Sequence, residues 1–158
     1  MNPDEPAEIE VRGDGVFVEY WGRPSETESA FREGWFRTGD VAVVDRGSYR
    51  ILGRQSVDII KTGGYKVSAL EVEEVLRGHP GVEECAVVGI ADEEWGERVV
   101  TAVIPSPGAD LALEPLRTWC KQYLAPYKIP SRLELVHDLP RNPMGKVTKP
   151  AVKMLFPD

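Results

Sequence analysis

Long apolar runs are missing from this 158-residue chain, as are cysteines beyond Cys85 and Cys120, any broad basic stretch, and any repeat or low-complexity tract. Each absence excludes something. No segment comes near the ~20 consecutive apolar residues of a membrane helix, and the start at Met1 is polar and acidic where a secretory signal would be basic and then apolar. A chain without a membrane span, working in the cytoplasm, is therefore expected. Cys85 sits in the run Cys85-Ala86-Val87-Val88, and Cys120 falls on the apolar side of a predicted helix. Both read as small buried hydrophobes rather than a disulfide or metal pair, and no bound metal is expected. A net charge of −7, from 26 acidic and 19 basic residues, argues against nucleic acid as a partner, since that needs a broad basic face.

What is present suits a folded chain. Apolar residues make up 42% and charged residues 28%, which fits one modest domain, or one domain of about 100 residues with part of another attached. The opening reads as β structure. Glu8–Arg12 alternates, Gly13-Asp14-Gly15 turns, and Val16–Trp21 follows as a second strand. Ser25-Glu26-Thr27-Glu28 has capping-box spacing and predicts a short helix to about Arg32. Val41–Asp45 and Tyr49–Leu52 flank Arg46-Gly47-Ser48 as a hairpin.

The texture changes after Gly53-Arg54, where strands begin to alternate with amphipathic helices. The boundary is expected there, giving segments 1–53 and 54–158. Ser68-Ala69-Leu70-Glu71 is a second capping box, opening a helix with Leu70, Val72, Val75 and Leu76 inward and Gly78 as its stop. Cys85–Ile90 and Val99–Ile104 are nearly continuous apolar runs and predict neighbouring strands buried on at least one face. Leu116, Trp119, Cys120, Tyr123 and Leu124 keep helical spacing. Leu133–Val136 predicts a third strand and Lys149–Phe156 a last short helix. The fold class expected is α+β: a small domain with a mostly antiparallel three-stranded sheet packed by helices, preceded by short strands and a hairpin.

Four clusters have the makings of a site. From Arg141 through Lys153 there are four cationic side chains and no Asp or Glu, a local reversal of the chain's sign. Within it, a Pro- and Gly-bounded loop presents Lys146 to meet a phosphate or carboxylate. Asp40, in Thr38-Gly39-Asp40, has the chemistry to accept hydrogen bonds from a ribose diol, and Arg54 to pair with ribose or phosphate oxygens. Gly63-Gly64 would let a narrow ligand run against bare backbone. Each has a plainer alternative: a turn at Asp40, a surface cation at Arg54, positive φ at Gly63-Gly64, a solvated Lys146.

The order and spacing of these clusters resemble the acyl-adenylate-forming superfamily of acyl-CoA synthetases, luciferases and peptide-synthetase adenylation domains. The resemblance is carried by Gly34–Asp40, Gly53–Val67, Glu71-Val72-Glu73 and Pro140–Lys146. Residues 56–68 look most like the malonyl-CoA synthetase branch and its mitochondrial relatives. The resemblance implies two half-reactions: a carboxylic acid and Mg2+-bound ATP give an acyl-adenylate, and CoA then displaces AMP. It implies Lys146 as the adenylation lysine, Asp40 and Arg54 as nucleotide-binding, and Gly63, Gly64 and Tyr65 along the pantetheine passage. It also implies a C-terminal domain that rotates about a hinge just after Gly53-Arg54.

Two features qualify the resemblance. Many relatives carry Asp or Lys two residues after the Arg, where this chain has Ser56, so Asp58 competes with Ser56 as the hinge. The family's phosphate loop, its aromatic-Gly-x-Thr-Glu segment and its acyl pocket belong to a large N-terminal domain and are not in these residues. The chain is accordingly expected to be the C-terminal region, with that large domain as partner, and to be inactive alone. Malonate or a fatty acid is the expected substrate, and the mitochondrial matrix is the alternative compartment in a eukaryote. The rival readings are an adenylating enzyme that loads a carrier protein, and a non-catalytic module that binds CoA or a partner.

Overall fold

A computed structural model describes residues 5–157. It comprises two compact units, divided between Ser56 and Val57.

The first unit is an antiparallel sheet built on one long strand. β1 (Ala7–Val11) lies along one edge of β3 (Trp35–Asp45), while the two-residue β2 (Phe31–Arg32) and β4 (Ser48–Arg54) share the other. Two-residue turns with left-handed backbone close both hairpins, at Glu33-Gly34 and at Arg46-Gly47, the twist that suits tight β connections. The predicted strand over Val16–Trp21 does not form. Phe17 instead packs its ring against Tyr20, Phe31 and Phe36, with centroids 4.8, 5.7 and 5.0 Å away, so side-chain packing replaces a ladder. The predicted capping box at Ser25 is also absent. Pro24 opens α1 (Pro24–Ala30) two residues early, which puts Ser25 inside the first turn, where its hydroxyl donates to Glu26 Oε2.

The second unit is α+β, as expected, but its sheet has five strands rather than three. The hairpin of β5 (Ile59–Thr62) and β6 (Tyr65–Ser68) joins β7 (Val82–Asp92) and β8 (Gly96–Pro105), and β9 (Arg132–Leu135) is the fifth strand. The extra pair comes from Gly63-Gly64, both at positive φ, a two-residue turn that folds the predicted binding segment back on itself. β9 alone pairs in parallel, beside Val100–Val103. That direction requires a crossover, supplied by α3 (Leu113–Cys120) and a 3-10 turn at Pro126–Lys128.

The apolar runs of β7 and β8 have two faces to bury. Cys85, Val87, Val99 and Val103 point to a core completed by α2 (Ala69–Arg77) and α3. Ala86, Val88, Val100 and Ala102 point to a second core with Leu139 and with Val152 and Phe156, which lie in and after α4 (Lys149–Lys153). Burial on both faces explains why these strands read as continuous rather than alternating. The Ser68 cap forms, with its hydroxyl accepting from Glu71 N at 3.2 Å. Leu70 does not turn inward as predicted and is 39% exposed, because the buried positions of α2 are Ala69, Val72, Glu73 and Leu76.

Both cysteines are buried and free. Burial pushes the Cys85 thiol up to about 12, with the Glu73 carboxylate adding to the rise. It is protonated in the folded chain at neutral pH, and an unfolded thiol, with its ordinary value of 9.0, gives up its proton first. The contribution of Cys85 to stability is therefore intact below pH 9 and is lost as pH climbs from there towards 12. Thiol titration at pH 8 is expected to show slow labelling of folded protein and fast labelling in denaturant; fast labelling of Cys85 in the native state would contradict its placement.

Candidate functional site

In the first unit the structure brings Asp40 and Arg54 together. They are cross-strand neighbours on β3 and β4, with Asp40 Oδ1 3.2 Å from Arg54 Nε. The approach to Asp40 is tightly specified. Gly39 has φ 76°, its amide donates to Glu8 Oε1 at 3.1 Å, and Gln55 N donates to the Gly39 carbonyl at 2.9 Å. Thr38 Oγ1 accepts from Asp40 N at 3.1 Å and donates to the Ile9 carbonyl at 2.9 Å. The Thr-Gly-Asp run is thus a braced kink that presents a carboxylate beside a guanidinium, not a loose turn. A concavity of about 360 Å3 in this unit lies against β1, β3 and β4 and is lined by none of the predicted site residues.

In the second unit Gly63, Gly64 and Tyr65 sit together at the tip of the β5–β6 hairpin. Two aromatic residues that sequence reasoning did not single out shape this tip. Trp95 accepts from Gly63 N through its carbonyl at 2.9 Å, and its ring lies where a side chain on residue 63 would begin: a Cβ there would come within 2.9 Å of it. Tyr127 stacks on Tyr65 with ring centroids 4.1 Å apart. A cleft of about 200 Å3 opens beside the tip, lined by Thr62, Trp95, Arg98, Arg117, Tyr127 and Ser131 among others. Trp95 owes its position to Asp92, whose Oδ1 accepts from Trp95 N at 2.9 Å and from Glu94 N at 3.0 Å. Those bonds, the Trp95 amide first and then Arg98, draw the Asp92 carboxyl below its usual value. The only sequence signal for Trp95 was an aromatic residue stranded in a polar turn.

Lys146 stands on a different part of the same unit. Its loop is a small closed structure: Arg141 bridges Val147, Asn142 N donates to the Lys146 carbonyl at 2.8 Å, and Asn142 Oδ1 accepts from both Met144 N and Lys146 N at 3.0 Å. Arg141 holds the tip by donating to the Gly145 carbonyl at 3.1 Å while pairing with Glu84. The four cations of this basic segment are not equivalent. Arg141, Lys149 and Lys153 are each ion-paired, whereas the exposed Lys146 ammonium has no recorded partner among the described residues.

β8 measures the separation of the two features. Thr62, next to the Gly-Gly tip, pairs with Gly96, while Glu84, which holds Arg141, pairs with Ile104. Eight residues of strand, roughly 25 Å, lie between those two points. Ser56 is exposed at the division between the units, and Asp58 is paired to Lys149 at 3.1 Å. Among the described residues, no group of three or more His, Cys, Asp or Glu side chains is arranged to hold a metal ion, and no helix is long and apolar enough to cross a membrane.

The resemblance to the acyl-adenylate-forming superfamily, carried in the sequence by the Asp40 and Arg54 segments, the Gly-Gly tip and the Lys146 loop, is borne out by the known proteins that this chain matches, and the chain belongs to that superfamily. Residues 71–146 match the AMP-binding enzyme C-terminal domain. The chain is 52% identical over 156 residues to a mitochondrial malonate–CoA ligase of Mus musculus, covering 98% of this chain and 27% of that protein. It is similar to ATP-bound MatB of Rhodopseudomonas palustris, with a TM-score of 0.86 and 37% identity over 98% of this chain and 31% of that one. A Bacillus subtilis o-succinylbenzoate CoA synthetase holding its acyl-adenylate intermediate gives a TM-score of 0.86 and 35% identity, over 97% of this chain and 31% of that one. The chain thus spans less than a third of the length of these relatives.

The tip geometry can be tested by its glycines. Gly64 has φ 81° but open space around it, so Gly64→Ala is expected to cost only backbone strain, about 1–2 kcal/mol. Gly63→Ala adds the collision with the Trp95 ring and is expected to cost about 1–3 kcal/mol more. Denaturant unfolding of the two variants, with tryptophan fluorescence of the native state, checks the order; equal costs would mean that Trp95 does not wall the tip.

Proposed function

We propose that this chain serves as the C-terminal region of an ATP-dependent acid–CoA ligase, working with the large N-terminal domain characteristic of the superfamily. The observation that carries the reading is Lys146: among the cations of the basic segment it is the one without a recorded partner, yet its backbone is fully braced. A fixed stem and a free ammonium suit a group that must reach into another domain's site, stabilise charge there and withdraw.

In the first half-reaction a carboxylate oxygen of the acid attacks the α-phosphorus of ATP and pyrophosphate leaves. Magnesium arrives with ATP as part of the substrate. Lys146 would donate to the acid's oxygen and the α-phosphate as negative charge gathers between them. Asp40 would accept from the ribose hydroxyls, and Arg54, already beside it, would complete the nucleotide contact and set the angle of the carboxylate. In the second half-reaction the CoA sulfur attacks the acyl carbonyl carbon, and AMP leaves with the bonding electrons. Gly63 and Gly64 would let the pantetheine arm pass, with Tyr65 alongside.

The separation along β8 supports a rotating domain. Two features attached at points roughly 25 Å apart along one strand are poorly placed to attend the same reacting atoms in a single pose, which a turn of the unit between the steps would resolve. We place the pivot just after Gly53-Arg54, with Ser56 and Asp58 as the competing hinge residues. Malonate is the acid we infer, on the strength of the named activity of the murine relative. We propose the cytoplasm as the compartment, or the mitochondrial matrix in a eukaryotic host, since that relative is named as mitochondrial.

The test uses the full-length gene product. Acid-dependent ATP–pyrophosphate exchange is expected with malonate in preference to methylmalonate or graded fatty acids. Lys146→Ala should lower it by about a hundredfold or more, while thioester formation from supplied malonyl-adenylate stays near the wild-type rate. Exchange that ignores Lys146 would remove the adenylation role. Preference for a fatty acid would keep the mechanism and change the substrate.

A further inference from the structure

We propose that Lys149 is the positioning residue for the Lys146 loop, and that its clamp on Asp58 makes Asp58 an anchor of the second unit and leaves the pivot to the residues before it. The kinetic part of this proposal rests on the ligase reading above; the structural part does not.

The argument begins with an amide. β7 is an edge strand, and Val87 N, inside the fold, has no strand partner on that side, so it needs an acceptor. Glu73 on α2 supplies one, accepting from Val87 N through Oε1 at 2.9 Å. That places a carboxylate only 8% exposed next to the core, and a buried charge requires compensation. Lys149 Nζ provides it at 2.7 Å from the same oxygen, and lies 3.1 Å from Asp58 Oδ1 as well. Lys149 and Asp58 are each 13% exposed. This is not a solvated surface pair, where long side chains hold each other weakly.

The cluster joins four parts of the chain that nothing local would connect. Asp58 stands just before β5, Glu73 is on α2, Val87 is in β7, and Lys149 opens α4. Lys149 also follows Lys146 with only Val147 and Thr148 between them. Val147 bridges Arg141, and Thr148 N donates to the Pro140 carbonyl at 2.8 Å. The outgoing limb of the loop is therefore fixed by backbone bonds to the incoming limb and by Lys149 to the body of the unit. Arg77 is a distant second cation, 3.9 Å from Glu73 Oε2, and does not reach the loop. A solvated Lys149 would leave that limb tied to its own hairpin and to the apolar packing of Val147 and Val152, with no polar clamp to the body of the unit.

The test compares full-length variants. Lys149→Met alone removes the cation that two largely buried carboxylates share and is expected to destabilise strongly. Lys149→Met with Glu73→Gln takes away the more deeply buried of the two charges while the Gln oxygen still accepts from Val87 N, so that the loss of the clamp on Asp58 remains as the main change. Asp58→Asn is the mildest variant and keeps the Lys149–Glu73 bond. Lys149→Arg restores the charge.

In the folded Met/Gln variant, amides of residues 142–146 should exchange about tenfold faster than in wild type. The turnover of acid-dependent ATP–pyrophosphate exchange should fall by about tenfold to a hundredfold with the KM for ATP within about twofold. Thioester formation from supplied acyl-adenylate should hold, and Lys149→Arg should recover most of the loss. Asp58→Asn should speed loop exchange by a few fold and serves if the double variant does not fold. Unchanged loop exchange in a folded variant overturns the proposal, as does a matched decline of both half-reactions, which would mark a purely structural ion cluster. A wild type without acid-dependent exchange would defeat the ligase reading, and the amide-exchange comparison would still decide the positioning of the loop.

Discussion

The β7–β8 ladder is the constraint on which the second unit depends. Its ten-residue pairing from Val82 to Asp92 against Gly96 to Pro105 is buried on both faces, so neither strand can slip without moving apolar side chains out of two cores at once. That rigidity turns β8 into a ruler. The Gly-Gly tip is attached at Gly96, the parallel strand β9 in the middle, and the Lys146 loop by way of Glu84 near Ile104. Gly89 marks how tight the assembly is: a Cβ there would come within 2.8 Å of both Ile60 and Glu97.

Burial on both faces also dictates the charge pattern. A strand at the sheet edge with helices over it has an inward amide that water cannot serve, and α2 answers with Glu73. Lys149 and Asp58 follow from that one need for an acceptor. The acidic composition of the chain and its one basic segment are thus linked, since three of the four cations between Arg141 and Lys153 are spent on carboxylates elsewhere in the unit. What reads in the sequence as a patch of positive charge is in space one exposed ammonium on a neutralised base.

Much of this was legible beforehand where one local cause decides the outcome. Ser68 caps α2 because it stands in extended backbone just ahead of the first helical turn, and the runs at Cys85 and Val99 are strands because their burial leaves no room for alternation. Reading failed where a neighbour in space intervened. Pro24 moved the start of α1 and robbed Ser25 of its capping role, and Phe17 found three aromatic partners in place of a ladder. Gly63-Gly64 was noticed for its missing side chains, yet its positive φ equally makes a hairpin, and that second consequence added two strands to the sheet. Trp95 and Tyr127 have no periodic pattern to betray them. Their meaning lies wholly in what they touch.

The two ends of β8 are rigid for different reasons, and the difference suits different work. At the Gly-Gly tip the backbone itself is the surface: the positive φ values and the Trp95 ring exclude a side chain at residue 63, so what remains is bare backbone with nothing to adjust. At the other end the backbone is braced by Asn142 and Arg141 so that one long side chain can move. A passage needs a fixed wall, whereas a charge that must arrive and depart needs a fixed root and a mobile tip. Exchanging the two constructions would serve neither purpose. In the proposed function, a flexible tip at residue 63 would close over the passage, and a paired Lys146 would have to break an ion pair at each turnover.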